Sequence, residues 1–356
     1  MGKKPTLPVH PSAETMKAVC FSAFGGTDVL SLQTIPKPSV STPSEILIKI
    51  YACALNPIDK IRLSGDLNAT QPEKYDTSVL GYDVSGVVEE VGAEVKKFKV
   101  GDEVFVRLRG MEFGALAEYV VCEEPELAKK PKNLSHSQAA AIPLAALTAL
   151  QALRRGGVTK GSKVFIPGGA GGVGSIAIQI AKKMLGASHV CTTASPGAGT
   201  ELCQKAGADQ IIDYRSQDFV KELEGANFDM AFDTMNQAAQ MGGLLKKGGK
   251  IISISGMPTT EAIVGAGSSP SLLVRFFLML GRNRAAEKAA KQAGGSWEYI
   301  FMHPSGDDLS ELAKSLESGD LKAFIDTEAP SLEEYKTAVD KLWSGRSKGK
   351  CVIKVV

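Results

Sequence analysis

The sequence predicts an α/β protein of two domains, a β-barrel-type domain followed by a doubly wound parallel sheet. Three observations predict it. At 356 residues the chain is longer than one hydrophobic core usually serves. From Met16 to about Val121 short alternating apolar segments are separated by turn residues, the texture of antiparallel β structure. Past Ser137 helix-like and strand-like segments alternate, the texture of a parallel sheet covered on both faces.

In the first half, strands are expected over 17–21, 45–51, 84–91, 103–108 and 116–121, with Gly25-Gly26 and Val100-Gly101-Asp102 supplying turns. In the second half the buried run Val164, Phe165 and Ile166 reads as a strand within 162–167. Val173, Ile176, Ala177, Ile180, Ala181 and Met184 then recur at helical spacing, one apolar stripe facing a sheet. Further strands are expected at 189–193, 210–213, 228–232 and 250–255. Residues 257–295 read as irregular and basic, a lid or an interface segment. Beyond Tyr299 come a helix at 308–318, a strand near 323–325, a helix at 332–343 and a strand at 350–355.

Between the strand at 162–167 and the helix after it lies Gly168-Gly169-Ala170-Gly171-Gly172-Val173-Gly174. Gly169, Gly171 and Gly174 fill the G-x-G-x-x-G frame: the first for a tight turn, the second for close approach of a pyrophosphate, the third for helix-on-strand packing. The N–H groups that open such a helix have no partners within it and hold a diphosphate. A strand before and a helix after distinguish this loop from an unliganded glycine-rich turn.

Composition excludes several classes. The formal net charge is +2 with acids and bases interspersed, which leaves no electrostatic footprint for nucleic acid or an anionic membrane. Cys20, Cys53, Cys122, Cys191, Cys203 and Cys351 are scattered without a C-x-x-C pair, so they read as reduced, buried thiols. Residues 1–15 are polar and proline-rich and read as a disordered leader without a signal peptide. The apolar stretches 139–153 and 271–280 are too short to span a bilayer and are broken by Pro143 and Arg275. A cytoplasmic protein is expected.

Taken together, MKAVCFSAFGG, ALNPIDKIRLSG, LGYDVSGVVEEVG, VGDEVF, FGALAEYV, the glycine loop, GADQIIDYR and SGRSKGKCVIKV resemble the medium-chain dehydrogenase/reductase superfamily. Within it the chain is most similar to the zinc-independent quinone oxidoreductases and the NADPH-dependent alkenal/enone reductases. The resemblance covers nearly everything after Lys17. It implies a GroES-like catalytic domain over 16–140 and 300–356 and a Rossmann dinucleotide-binding domain over 141–299. It also implies a homodimer as one arrangement, paired through sheet edges.

The zinc alcohol dehydrogenases of this superfamily bind their metal through a cysteine, a histidine and a second cysteine. At those motif positions this chain has Asn56, Tyr82 and Leu144, a set without the nitrogen and sulfur donors zinc prefers. His10, His136, His189 and His303 are far apart and read as packing or surface residues. No metal is expected.

For the dinucleotide, an NAD-selective site ends its second strand on an acidic side chain, where this chain has Ala194 followed by Ser195. Removal of that acid removes its repulsion of a 2′-phosphate, so NADPH is expected. The resemblance gives Ser195 and Tyr214 the phosphate, with Arg215 as a further cation. The family's usual lysine is replaced by Pro196-Gly197-Ala198-Gly199, which keeps NADH use open. Gly172, Val173 and Gly174 are expected under the pyrophosphate, Ser255 and Gly256 beside the nicotinamide ribose, and Phe301 and Met302 along the nicotinamide. Thr148 is a further cofactor contact, with bonding to its own helix backbone as the alternative.

Without a metal, the chemistry is hydride delivery to the β-carbon of a conjugated carbonyl, which leaves negative charge on its oxygen. The resemblance gives Lys60 of NPIDKIRLSG to both cofactor and substrate, and its ammonium is the candidate that stabilises that charge. Asn56 and Tyr82 are expected to line the pocket, while Asp59 and Asp83 read as turn caps with local partners. Quinone reduction is the alternative on the same scaffold. A non-catalytic nucleotide-binding or structural protein is a third reading, opposed by the intact glycine loop and Lys60.

Overall fold

The computed structural model describes residues 14–70, 72–73, 76–110, 114–265 and 270–356. The leader expected over 1–15 lies outside them up to residue 13, and Thr15 already opens a strand. Along the chain come β1 (Thr15–Phe21), β2 (Ser31–Pro36), β3 (Glu45–Leu55), helix α1 (Pro57–Ser64), β4 (Ser78–Val79), β5 (Asp83–Val91), β6 (Glu103–Arg107), β7 (Tyr119–Glu123) and β8 (Leu127–Lys129). Helices α2 (His136–Ala140) and α3 (Pro143–Arg155) follow. Next are β9 (Lys163–Ile166), α4 (Gly172–Gln179), β10 (His189–Ala194), α5 (Ala198–Ala206), β11 (Gln210–Asp213), α6 (Phe219–Glu222), β12 (Phe228–Asp233) and β13 (Leu245–Ser253). Three helices, α7 (Thr260–Gly265), α8 (Leu272–Gly281) and α9 (Arg284–Gln292), precede β14 (Ser296–Tyr299). The chain closes with α10 (Gly306–Glu317), β15 (Ile325–Ala329), α11 (Lys336–Trp343) and β16 (Lys350–Lys354).

The chain divides into two units. One comprises the chain through Leu147 with Pro304–Ser318 and Ala323–Val356; the other comprises Thr148–His303 with Gly319–Lys322. In the first unit β3 is the central strand, antiparallel to β5 on one side and to β7 and β16, one after the other along its length, on the other. Its Ile46, Ile48 and Ile50 are buried with Val84, Val88, Val104, Val106 and Val120 in one core. The return of the C-terminus fixes a detail the site depends on. Cys351 pairs with Leu55 at the end of β3, and Asp83 at the start of β5 pairs with Ala54. Lys350 and Asp83 therefore flank the residue that leaves β3, Asn56.

In the second unit the parallel strands lie in the order β11-β10-β9-β12-β13-β14. Counted from β9 this is 3-2-1-4-5-6, the doubly wound order that reverses direction at the first strand. Phe165, Phe228 and Ile251 from the sheet pack with Ala286 and Ala290 of α9 in its core.

Several expectations move. The described residues of 257–295 are largely helical, not irregular: Ser271 caps α8 by accepting from the Val274 N–H, and Asn283 caps α9 by accepting from the Ala286 N–H. The strand expected near 323–325 begins only at Ile325, and the helix expected from 332 begins at Lys336 after a turn. Strand β13 stops at Ser253, two residues short of the expected end. Helix α1, with proline at its first turn, was not anticipated; it carries Lys60.

Candidate active site

In the first unit the end of β3 runs directly into α1. Asn56 is the N-cap, and its backbone N–H donates to the Asp59 carboxylate at 2.7 Å. Its side chain does something else. The Asn56 amide donates to Asp83 Oδ2 at 2.9 Å, while Asn56 Oδ1 accepts from the Lys350 ammonium. Lys350 Nζ also donates to Asp83 Oδ2 at 3.0 Å, and Asp83 Oδ1 accepts the Leu144 N–H at 2.8 Å. Asn56, Asp59, Asp83 and Lys350 are all buried. This is an ammonium, an amide and a carboxylate closed on one another inside a low-dielectric core.

Asp59 is the strained member. Its Oδ1 has no hydrogen-bond partner, and burial pushes its carboxyl up to about 7 against the opposing pull of the Asn56 N–H and Arg62. Its reading as a cap holds, but the raised pKa had no sequence signal, since the desolvation comes from tertiary packing.

Tyr82 is enclosed. Its ring lies beneath the guanidinium carbons of Arg62 at 5.6 Å and Arg107 at 5.0 Å, and burial pushes its phenol up to about 12. Arg62 itself is buried, bidentate on Glu73 through two bonds of 2.8 Å and donating to the Val79 carbonyl at 2.9 Å. Lys60 stands on the opposite face of α1, exposed, beside the exposed Ile61. Helix α1 is thus anchored at Asn56, Asp59 and Arg62 and presents Lys60 on its outer face.

In the second unit the expected cofactor residues gather at the carboxyl ends of the parallel strands. Gly168, at φ +70°, takes the left-handed turn that was expected of Gly169. Its N–H donates to Thr193 Oγ1 at 3.0 Å, and the Gly169 N–H donates to the Thr193 carbonyl at 3.0 Å, tying the loop to β10. Gly169 is instead a packing glycine: a Cβ there would lie 2.1 Å from Thr192 Oγ1. Gly174 likewise would put a Cβ 2.3 Å from the Gly168 carbonyl oxygen. Gly171 differs, since a Cβ would meet only that same oxygen at 3.3 Å. It caps α4, and Gly171, Gly172 and Val173 are half-buried at the opening of the helix, where backbone N–H groups lack intrahelical acceptors. That opening fits a diphosphate.

Ala194 ends β10 and is buried, as is Ser195, whose carbonyl accepts from the N–H and hydroxyl of Thr200. Tyr214 follows β11 and is exposed, with Arg215 exposed beside it. Asp213 pairs with Ala194 across the sheet, a carboxylate that sequence spacing did not bring to this place. It accepts from the Arg215 N–H at 3.0 Å and the Ser216 hydroxyl at 2.9 Å. Ser255 and Gly256 lie just past β13, Gly256 at φ +91°, and Phe301 and Met302 lie just past β14. The Phe301 ring meets Tyr299 edge-on at 5.3 Å. Thr148 is buried on α3, at the first residue of this unit.

Comparison with known proteins agrees with this architecture. Residues 42–132 match the alcohol dehydrogenase GroES-like domain, and residues 206–353 match a domain described as zinc-binding dehydrogenase. The 2-methylene-furan-3-one reductase of Solanum lycopersicum is 36% identical over 95% of this chain and 79% of its own. The NADPH-dependent alkenal/one oxidoreductase, chloroplastic, of Arabidopsis thaliana is 35% identical over 95% of this chain and 79% of its own. The quinone oxidoreductase from Coxiella burnetii superposes with a TM-score of 0.79 at 33% identity, over 96% of this chain and 100% of that one. The chain belongs to the medium-chain dehydrogenase/reductase superfamily and is an oxidoreductase. Its relatives there include enone, alkenal and quinone reductases.

One of those domain descriptions names zinc, and the residues present do not fit it. Asn56 is bonded at both side-chain ends, Tyr82 is a phenol held between guanidinium groups, and Leu144 contributes only a backbone N–H. Cys53, close by in β3, is fully buried and its thiol is pushed well up by desolvation, the reverse of what a metal thiolate needs. Among the described residues no group of three His, Cys, Asp or Glu side chains could hold a metal ion. No helix of the described residues is long and apolar enough to cross a membrane.

Proposed function

We propose that this oxidoreductase reduces α,β-unsaturated aldehydes and ketones with NADPH and without a metal. The observation that carries the metal-free reading is the Lys350 ammonium, bonded to Asn56 and Asp83 where the motif positions of a metal site converge. A fixed cation already neutralises that carboxylate, and no nitrogen or sulfur ligand remains beside it.

When bound, NADPH supplies the hydride. The N–H groups that open α4 would hold its diphosphate, with Gly171 leaving room for close approach. Ser255, Gly256, Phe301 and Met302 would border the nicotinamide end, and Thr148 the same cofactor. Preference for the 2′-phosphate rests on Ala194 in place of an acid and on the exposed Tyr214 and Arg215, with Ser195 contributing backbone. Asp213 sits near but its carboxylate is occupied by its own turn.

Lys60 would donate from its ammonium to the substrate carbonyl oxygen and hold the negative charge that develops there. A preorganised donor of this kind is worth about 3 kcal/mol, or about two orders of magnitude in rate. Preorganisation is what the buried cluster supplies: Asn56, Asp59 and Arg62 fix the helix that bears Lys60. Asn56 and Tyr82 then act by support of α1 more than by touching substrate, since both are buried. Quinones offer the same conjugated carbonyl, and likeness to a quinone oxidoreductase over 96% of this chain favours them as a second substrate class.

The test is steady-state NADPH oxidation with a panel of enals, enones and quinones by wild type and Lys60→Ala. Lys60→Ala is expected to lower kcat for enones about 100-fold while its NADPH dissociation constant, read by cofactor fluorescence, changes little. An unchanged kcat overturns the role of Lys60. The compartment proposed is the cytoplasm, a reducing one in keeping with six free, buried thiols. Because one relative is named chloroplastic, imaging of a fluorescent fusion is the check, and an organellar signal would reject it.

A further inference from the structure

Arg107 is a largely enclosed cation without an anion. It ends β6 opposite Asp83, and residues directly opposite in an antiparallel pair point to the same face of the sheet. Its side chain therefore leaves on the side where Asp83 meets Asn56 and Lys350. The guanidinium carbon lies 5.0 Å from the centre of the Tyr82 ring, a stacking contact that fixes the plane of the group. Its Nε is enclosed and bonded to nothing. Among the described residues no hydrogen bond or ion pair reaches the terminal nitrogens either, and the partial exposure of the residue leaves them as the edge open to solvent.

The other charges around it cancel in pairs. Arg62, over the same ring, is bidentate on Glu73, and Lys350 is bonded to Asp83. Arg109 holds Glu126 through its Nε at 3.0 Å and its backbone N–H at 3.2 Å. Burial pushes the carboxyls of Glu126 and Asp59 up to about 7 each, so neither adds a full negative charge near neutral pH. Burial also lowers the pKa of Arg107, and Tyr82, Asp83, Glu126 and Asp59 pull it only partway back. A guanidinium stays charged under such pressure. One positive charge is left over, and its enclosure without a partner costs stability that nothing else in this unit recovers.

The open edge selects the anion. Two N–H groups in one plane match the two oxygens of a carboxylate, and the single surplus charge matches a single negative one. A phosphate dianion would leave negative charge uncompensated beside Asp83 and Glu126. Arg107 lies on Tyr82 and faces the cluster that anchors α1, the helix that bears Lys60, so the carboxylate that reaches it arrives with the substrate. We infer that Arg107 is the receptor for a substrate carboxylate, and that the preferred acceptors of this enzyme are conjugated enones whose chain also carries a carboxylate. The choice of acceptor rests on the enone reading above, whereas binding of a carboxylate at Arg107 does not.

Two readouts keep those apart. The first is steady-state NADPH oxidation with enone acids of increasing chain length, each beside its methyl ester, by wild type, Arg107→Met and Arg107→Lys. Wild type is expected to favour the best acid over its ester by about 10- to 100-fold in kcat/KM, the range that hydrogen bonds to a charged group give. The ratio should fall to about one in Arg107→Met and to an intermediate value in Arg107→Lys, which keeps the charge without the planar fork. Because each ratio is taken within one protein, a general loss of activity cancels. The second readout needs no turnover: fluorine NMR of trifluorobutyrate and of its methyl ester, with NADP bound to the enzyme. Wild type should broaden the acid signal and not the ester, Arg107→Met should broaden neither, and inorganic phosphate should not displace the acid. Equal kcat/KM for acids and esters in wild type, an acid preference that survives in Arg107→Met, absence of trifluorobutyrate binding, or its displacement by phosphate would each overturn the inference. Should acids and esters alike go unreduced, the enone reading and the acceptor class fall together, and the fluorine signal alone decides whether Arg107 binds a carboxylate.

Discussion

Replacement of Lys350 by methionine probes the buried cluster most sharply. The side chain keeps its length and apolar stem but loses the ammonium that bonds Asn56 Oδ1 and Asp83 Oδ2. Asp83, with no exposure to solvent, is then left with only the Asn56 amide and the Leu144 N–H as donors, and Asn56 Oδ1 loses its partner. Breaking one side of a buried pair costs about 3–5 kcal/mol. For a unit of this size that corresponds to a fall in Tm of about 6–20 °C. Lys354 in the same strand supplies the control: its pair with Glu328 at 3.5 Å is half exposed, so Lys354→Met should cost about 1 kcal/mol or less. In Lys350→Met/Asp83→Asn, where both charges are gone, part of the loss should return. Calorimetric melts at neutral pH measure all of these. If Lys350→Met melted within about 3 °C of wild type, or no lower than Lys354→Met, the cluster would not be the closed unit described.

Three further outcomes follow from the geometry. Asp59, which burial pushes up from the ordinary aspartate value of 3.8 to about 7, binds its proton more tightly when folded. Its contribution is therefore full below pH 4 and lost as pH rises through 7, about 3 kcal/mol between pH 5 and pH 8, and Asp59→Asn should flatten that part of a urea-denaturation pH series. In the glycine loop, Gly174→Ala forces a carbon to 2.3 Å from a backbone oxygen and should cost about 1–3 kcal/mol in stability. Gly171→Ala meets no such contact; its Tm should hold while NADPH binding weakens about tenfold or more, and equal effects of the two substitutions would remove the distinction between packing and ligand-facing glycines. For the phosphate, Tyr214→Phe with Arg215→Ala should lower the ratio of kcat/KM for NADPH over NADH, and an unaltered ratio would displace the 2′-phosphate from these residues.

Much of the nucleotide-binding unit is legible in the sequence because its signals are local. A buried triplet, a glycine frame and a helical stripe lie within some twenty residues of one another, and the strands at His189, Gln210 and Phe228 start where expected. What the glycines do is less local: Gly169 is small because Thr192 of the next strand presses on it, a neighbour the motif does not contain. The candidate site divides in the same way. Lys60 and Asn56 were found through their motif, whereas Lys350 sits in a closing strand whose apolar alternation marks a lysine as outward-facing. Its partner Asp83 is 267 residues away in the chain, so only the pairing of β16 with β3 reveals that it points inward. Helix α8 was read only as an apolar stretch too short to span a bilayer, within an irregular lid or interface segment, for the opposite reason. Its apolar run resembles core, and nothing in a sequence separates an apolar face that is buried from one left uncovered.

The central claim is hydride transfer from NADPH to a conjugated carbonyl with ammonium groups, not a metal ion, as the cations of the site. Elemental analysis of the purified enzyme, combined with its rate of NADPH-dependent enone reduction before and after exhaustive chelation, tests it most directly. The account predicts substoichiometric zinc and an unchanged rate after chelation. Stoichiometric zinc, with activity lost on its removal and restored on its return, would contradict it.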